Sequence, residues 1–205
     1  GILNPDLMAA YDLTGVQIGL IGTLGSAASI ISMLRGTLVS DRFPKLRLIL
    51  VFFVLYTFIL FGFSMVPPYL VLMGLFFLMG VTNSYLNLLL SAFVAEAYEE
   101  KRATYMNLIH AFFGLGSLMG PIYASLVKSR GQTWDRSFFG IGVACLILTV
   151  VLAVISLPVK VEKSGGGRSN PLPQIRKMAK NRGILMLSLF SAAFMTHQGA
   201  VGTWI

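Results

Sequence analysis

The chain has 205 residues, of which 56% are hydrophobic and 12% charged, against about 45–50% and about 25% in soluble domains. Mean hydropathy is +0.78. With a single cysteine, Cys145, these values exclude a soluble globule, a disordered tail and a disulfide scaffold. The net charge of +8 does not point to nucleic acid, because Lys and Arg occupy short gaps between long apolar runs instead of one basic face. The predicted fold class is all-α, a polytopic transmembrane helical bundle, and the lipid bilayer is its first partner.

Six apolar runs follow in chain order. Residues 1–14 precede them, and Asn4-Pro5 reads as the exit from a preceding helix. The first run, 15–34, is closed by Arg35. The second, 48–66, carries no charge and as a helix rises about 28 Å, the thickness of a hydrocarbon core. Pro67-Pro68 makes a tight turn into the third run, 69–98, whose last part projects into water. Runs at 103–127, 137–159 and 184–205 complete the set. Between the fifth and sixth lies 160–183, with Ser164-Gly165-Gly166-Gly167, Pro171, Pro173 and four basic residues in 174–182. That basic piece is either a short interfacial helix, with Ile175 and Met178 on its lipid side, or a solvated linker.

Thirteen Lys and Arg residues fall on one side of the alternating runs and three on the other. The positive-inside rule then puts residues 1–14 outside and 160–183 in the cytoplasm of a cell-membrane protein that crosses several times. The chain starts at Gly1 without methionine and stops at Ile205 within an apolar run. The expectation is a stretch of a longer protein.

The segment Arg35-Gly36-Thr37-Leu38-Val39-Ser40-Asp41-Arg42-Phe43-Pro44-Lys45 resembles the cytoplasmic signature between the second and third helices of the major facilitator superfamily, Gly-x-x-x-Asp-Arg-x-Gly-Arg/Lys. Asp41, Arg42 and Lys45 fall on their positions. Thr37 holds the first glycine position beside Gly36, and Pro44 stands at the turn glycine. A narrower set resembles the fucose–proton symporter-like branch: Gly80, Asn87, Arg102, Asn107, His110, Phe112-Phe113-Gly114-x-Gly116 and Gly120-Pro121, with Gly199…Trp204 in the last run. Proton-coupled members of that branch carry a glutamate four residues before the asparagine, where this chain has Asn83. The resemblance implies an N-terminal bundle over 1–159 (the end of helix one, then helices two to six), a basic cytoplasmic linker over 160–183 and the seventh helix over 184–205. It implies solute binding near the bilayer midplane between two halves.

Asn83 and Asn87, four apart, share one helix face and offer both donors and acceptors to solute hydroxyls; the alternative is interhelical hydrogen bonding. Asn107, His110, Gly114, Ser117 and Pro121 recur at 3-4-3-4 spacing as one stripe. His110 is either a proton carrier or a neutral member of the cavity wall. Gly116 and Gly120 have the small-residue spacing of a close helix contact, and Gly114 and Pro121 belong with them as packing residues. Gln17 and, from the last run, His197 and Gln198 complete the candidate solute-binding set. The resemblance implies that Asp41, Arg42, Glu96 and Arg102 latch the cytoplasmic helix ends when the carrier opens outward.

No constellation of nucleophile and base, no phosphate loop and no metal-ligand spacing is present, so neither an enzyme, a metal site nor a cofactor is expected. The reading is a secondary transporter of a small polar, sugar-like solute, with a proton or sodium as coupling ion. The alternative is a membrane sensor or scaffold that keeps the transporter fold without net flux.

Overall fold

A computed structural model describes residues 3–40 and 43–156, and every regular element among them is an α-helix. The order is α1 (Asn4–Tyr11), α2 (Gly15–Ser40), α3 (Lys45–Ser64), α4 (Tyr69–Ala97), α5 (Arg102–Ser129) and α6 (Trp134–Ser156). Helices α2 to α6 each hold a stretch long and apolar enough to cross a membrane. Asp41, Arg42 and everything beyond 156, including the run at 184–205, lie outside the described residues.

The sequence explains most helix ends. Pro5 sits in the first turn of α1, where its missing N–H costs nothing and its fixed φ suits the helix. Asn4-Pro5 therefore lies in the first turn of a described helix. Asp12 stops α1 in the left-handed region at φ 51°, and the Leu13 N–H donates back to the Met8 carbonyl at 3.0 Å. Thr14 and Gln17 then form a capping box for α2. The Gln17 Oε1 accepts from the Thr14 N–H at 2.8 Å, while the Gln17 N–H donates to Thr14 Oγ1 at 3.4 Å. Pro44 and Pro68, both extended, precede α3 and α4. One boundary differs from the sequence reading: α2 continues through Arg35 to Ser40. A charge ends a hydrocarbon crossing, since it must reach water, but it does not end a helix.

All the described helices belong to one compact unit, Ile2–Ser164. Within it α3 packs firmly against α4 and α6, and α2 against α4, whereas α5 leans only lightly on α4 and α6. Two apolar cores hold the unit. One joins Leu7, Ile18, Ile59, Phe63, Leu72 and Trp134. The other joins Ile49, Leu86 and Leu89, with Phe52 stacked on Tyr85 at 4.6 Å. Lipid tails are as apolar as these side chains, so close packing and hydrogen bonds hold such helices together, not expulsion from water.

The tightest packing is the α2–α4 seam. Gly25 and Ser29 on α2 face Gly80 and Ser84 on α4, each pair four residues apart, so small side chains line both sides of the crossing. A Cβ on Gly80 would overlap the Gly25 carbonyl, so only glycine fits there. The approach lets Ser29 Oγ donate to the Gly80 carbonyl and Ser84 Oγ to the Ser29 carbonyl, each at 3.0 Å. Sequence spacing predicts this kind of contact at Gly116 and Gly120. Among the described residues nothing comes within 4 Å of a Cβ at Gly114, Gly116 or Gly120.

Gly80→Ala should lower stability by about 1–3 kcal/mol through overpacking. Gly74→Ala, with nothing within 4 Å of the new methyl group, should not. Thermal unfolding of the detergent-solubilised protein measures both; equal midpoints would remove the seam from the account.

Candidate functional site

Asn83 lies at the middle of α4 and Asn87 one turn further on. Both are exposed on the surface of the described unit. Asn87 Nδ2 donates to the Asn83 carbonyl at 3.2 Å and to Asn83 Oδ1 at 3.4 Å. The two amides thus form a small unit of their own and keep donors and acceptors to spare, because a carboxamide has two of each. Neither is engaged with a neighbouring helix among the described residues.

On α5, Asn107, His110, Gly114, Ser117 and Pro121 are all exposed, so the predicted stripe is present and uncovered by the described helices. Only Ser117 turns its hydroxyl back to the helix, donating to the Phe113 carbonyl at 3.0 Å. Pro121 removes one backbone hydrogen bond from the helix interior. The apolar part of the helix is open as well, since only 6% of its span is buried against 17–28% in the other four. Helix α5 is therefore the least covered of the five spans by the described helices. No hydrogen bond or ion pair among the described residues joins the α4 amides to Asn107 or His110. Gln17 has its side-chain oxygen engaged in the α2 capping box. His197 and Gln198 lie outside the described residues.

Of the predicted latch residues, Glu96 falls in the last turn of α4 and Arg102 in the first of α5. Lys45 of α3 and Glu96 of α4 form an ion pair. The Lys45 side chain is only 9% exposed and Glu96 is 52% exposed, so a buried ammonium is met by a carboxylate that reaches water. An ammonium in such a place is costly without a counter-charge. The sequence signature contains Lys45, but nothing in the spacing reveals that its partner is Glu96, fifty-one residues on. Arg102 opens α5 nearby in sequence and is exposed, while Asp41 and Arg42 are outside the described residues.

Sequence reasoning missed the contacts at the opposite end. Lys128 in the last turn of α5 holds both oxygens of Asp6 on α1, at 2.7 and 3.0 Å. The Tyr11 hydroxyl donates to the Pro67 carbonyl at 2.7 Å, tying α1 to the α3–α4 turn. Burial pushes the Tyr11 phenol above its ordinary pKa, since the phenolate would lose water. The Tyr11 and Trp134 rings lie 6.1 Å apart. Such pairs bridge segments far apart in sequence, and only the fold brings them together.

A bundle of five helices long and apolar enough to cross a membrane, with the described ion pairs near helix ends, marks a multi-pass membrane protein. The family model of the Major Facilitator Superfamily matches residues 1–205, and the chain belongs to that superfamily. It is therefore a membrane transporter in the broad sense, of a family that moves solutes across the bilayer instead of transforming them. A search of curated proteins finds no significant match.

Glu96→Gln should destabilise the protein by about 1–3 kcal/mol, because it leaves Lys45 buried without a counter-charge. Glu99→Gln and Glu100→Gln, both fully on the surface, should stay within about 0.5 kcal/mol. Exchanging the pair, Lys45→Glu with Glu96→Lys, should recover part of the loss. Thermal unfolding of the four variants checks the order.

Proposed function

We propose that the protein is a secondary active transporter of a small polar, sugar-like solute, working by alternating access, in the fucose–proton symporter-like branch of its superfamily. The observation that carries this reading is the set of polar side chains left uncovered in α4 and α5, namely Asn83, Asn87, Asn107 and His110. Polar groups inside membrane spans turn to protein or to a watery cavity, because hydrocarbon cannot satisfy them. Amides and an imidazole suit hydroxyl-rich solutes, whose groups both donate and accept. On this reading Gln17 and, from the second bundle, His197 and Gln198 extend the same cavity.

The domain reading follows: an N-terminal bundle over 1–159, a basic cytoplasmic linker over 160–183 and the first helix of the second bundle from 184. Residues 1–14 face outward, in keeping with the thirteen-to-three distribution of Lys and Arg. Asp41, Arg42, Glu96 and Arg102 then hold the cytoplasmic ends together in the outward-open state, with the Lys45–Glu96 pair joining α3 and α4 at that end. A proton or sodium gradient drives accumulation. Asn83 replaces the acid of proton-coupled relatives, so this helix holds solute and does not carry the proton.

The test is uptake of radiolabelled L-fucose and a panel of hexoses into proteoliposomes made with the full chain, with and without an imposed proton or sodium gradient. Saturable uptake by the wild type is expected, with KM raised about tenfold in Asn87→Ala and His110→Ala, the worth of one lost hydrogen bond. Binding without flux would mark a sensor or scaffold instead, and neither binding nor uptake of any sugar would overturn the sugar reading.

A further inference from the structure

We propose that the end of the bundle where α1, α5 and α6 meet carries a second binding site, for a small zwitterion that bears a primary ammonium beside a carboxylate or phosphate. The site is separate from the solute-binding residues proposed above and does not depend on which solute is carried.

A cavity of about 380 Å³ opens there, lined by Asp6, Lys128, Trp134 and Ser137 with the small side chains of Ala9 and Ala124. Its size is in the range of about 300–1,000 Å³ typical of small-molecule sites. Ser137 is 1% exposed, and its Oγ has no hydrogen-bond partner. Most buried hydroxyls in membrane helices turn back to a backbone carbonyl, as Thr57 and Thr149 do here. Ser137 instead keeps both a donor and acceptor capacity unspent on the cavity wall. A buried hydroxyl left in this condition calls for a polar occupant.

The charges select the occupant. Lys128 holds the two Asp6 oxygens at 2.7 and 3.0 Å, which uses at most two of its three ammonium protons and two of the carboxylate's roughly four lone-pair sites. One donor on Lys128 and open acceptor positions on Asp6 remain. A free anion entering the cavity meets Lys128 but is repelled by Asp6, and a simple cation meets the reverse. A molecule with both charges side by side aligns its ammonium with Asp6 and its acid group with Lys128, opposing the fixed dipole of the pair, while Ser137 supplies a further hydrogen bond. Trp134 is 7% exposed and adds an apolar wall to the cavity, while the Asp6–Lys128 pair lies at its open side, where water reaches it.

Two sources offer this chemistry: a free amino acid, and the headgroup of phosphatidylethanolamine. The position at the end of α5 and start of α6 is headgroup level for a spanning bundle, where tryptophan also concentrates.

The test uses the full chain, wild type and Ser137→Ala, and follows thermal unfolding. In detergent the probes are L-alanine, O-phosphoethanolamine, ethanolamine alone and inorganic phosphate alone. In nanodiscs the comparison is phosphatidylethanolamine against phosphatidylcholine, whose quaternary ammonium cannot donate to Asp6. L-alanine or O-phosphoethanolamine should raise the wild-type Tm saturably, with an apparent affinity about tenfold weaker in Ser137→Ala. The ligand-free Tm of Ser137→Ala should equal or exceed that of the wild type, because the variant removes an unpaired buried hydroxyl, so a folding defect cannot imitate the result. A response confined to phosphatidylethanolamine nanodiscs and reduced in Ser137→Ala supports the site and assigns it to lipid. The proposal is overturned if no probe or lipid raises Tm, if the variant responds like the wild type, or if ethanolamine or phosphate alone acts as strongly as the zwitterions.

Discussion

A helix inside hydrocarbon has no water to fall back on, so every hydroxyl and amide it carries must find a partner in the protein or mark a place where water enters. The described spans largely obey this rule by local means. Thr23, Ser26, Thr57 and Thr149 each donate to the carbonyl four residues earlier, at 2.7–3.0 Å. Thr57 and Thr149 also meet across the α3–α6 contact at 3.3 Å. Ser29 and Ser84 serve the α2–α4 seam. Against that background, the uncovered amides of α4 and the Asn107–His110 face of α5 stand out as groups that the described helices leave unused. Thr82 Oγ1 is buried without a partner as well, and nothing in the structure accounts for it.

Packing is uneven in a way that suits a carrier. The glycine-serine seam makes α2 and α4 one rigid pair, and α3 ties that pair to α6 through close aromatic contacts such as Phe63 with Phe76 and Phe138, both at 4.8 Å. Helix α5 joins the rest thinly. Charges stay at the two ends, with Lys45–Glu96 at one and Asp6–Lys128 at the other. Ends joined by ion pairs and helices joined by the glycine-serine seam make a unit that can move as a body.

How much of this the sequence disclosed depends on the range of the interaction. Helix positions were legible because a bilayer imposes length and apolarity on each crossing, and over the described residues the first five apolar runs lie within or nearly coincide with α2 to α6. The α5 stripe was legible because its spacing is the helix period itself. The capping contact of Gln17 was not, since it depends on α2 beginning just after Thr14. The α2–α4 seam was hidden for another reason. The spacing of Gly25 and Ser29 matches that of Gly116 and Gly120, and only the tertiary arrangement reveals which of the two meets another of the described helices closely. Lys45–Glu96 and Asp6–Lys128 join residues fifty-one and one hundred and twenty-two apart, beyond the reach of any local pattern.

The claim on which the account turns is that the unused polar groups of α4 and α5 face water within the membrane. Cysteine labelling tests it most directly, using the full chain in membranes with Cys145 replaced by alanine and a membrane-impermeant thiol reagent. Cysteines introduced at Asn87 and His110 should react, and at Phe58, an apolar position of α3 that is 69% exposed on the described unit, should not. If Asn87 and His110 prove as unreactive as Phe58 while a membrane-permeant reagent labels all three, those side chains face lipid, and the transport reading built on them is wrong.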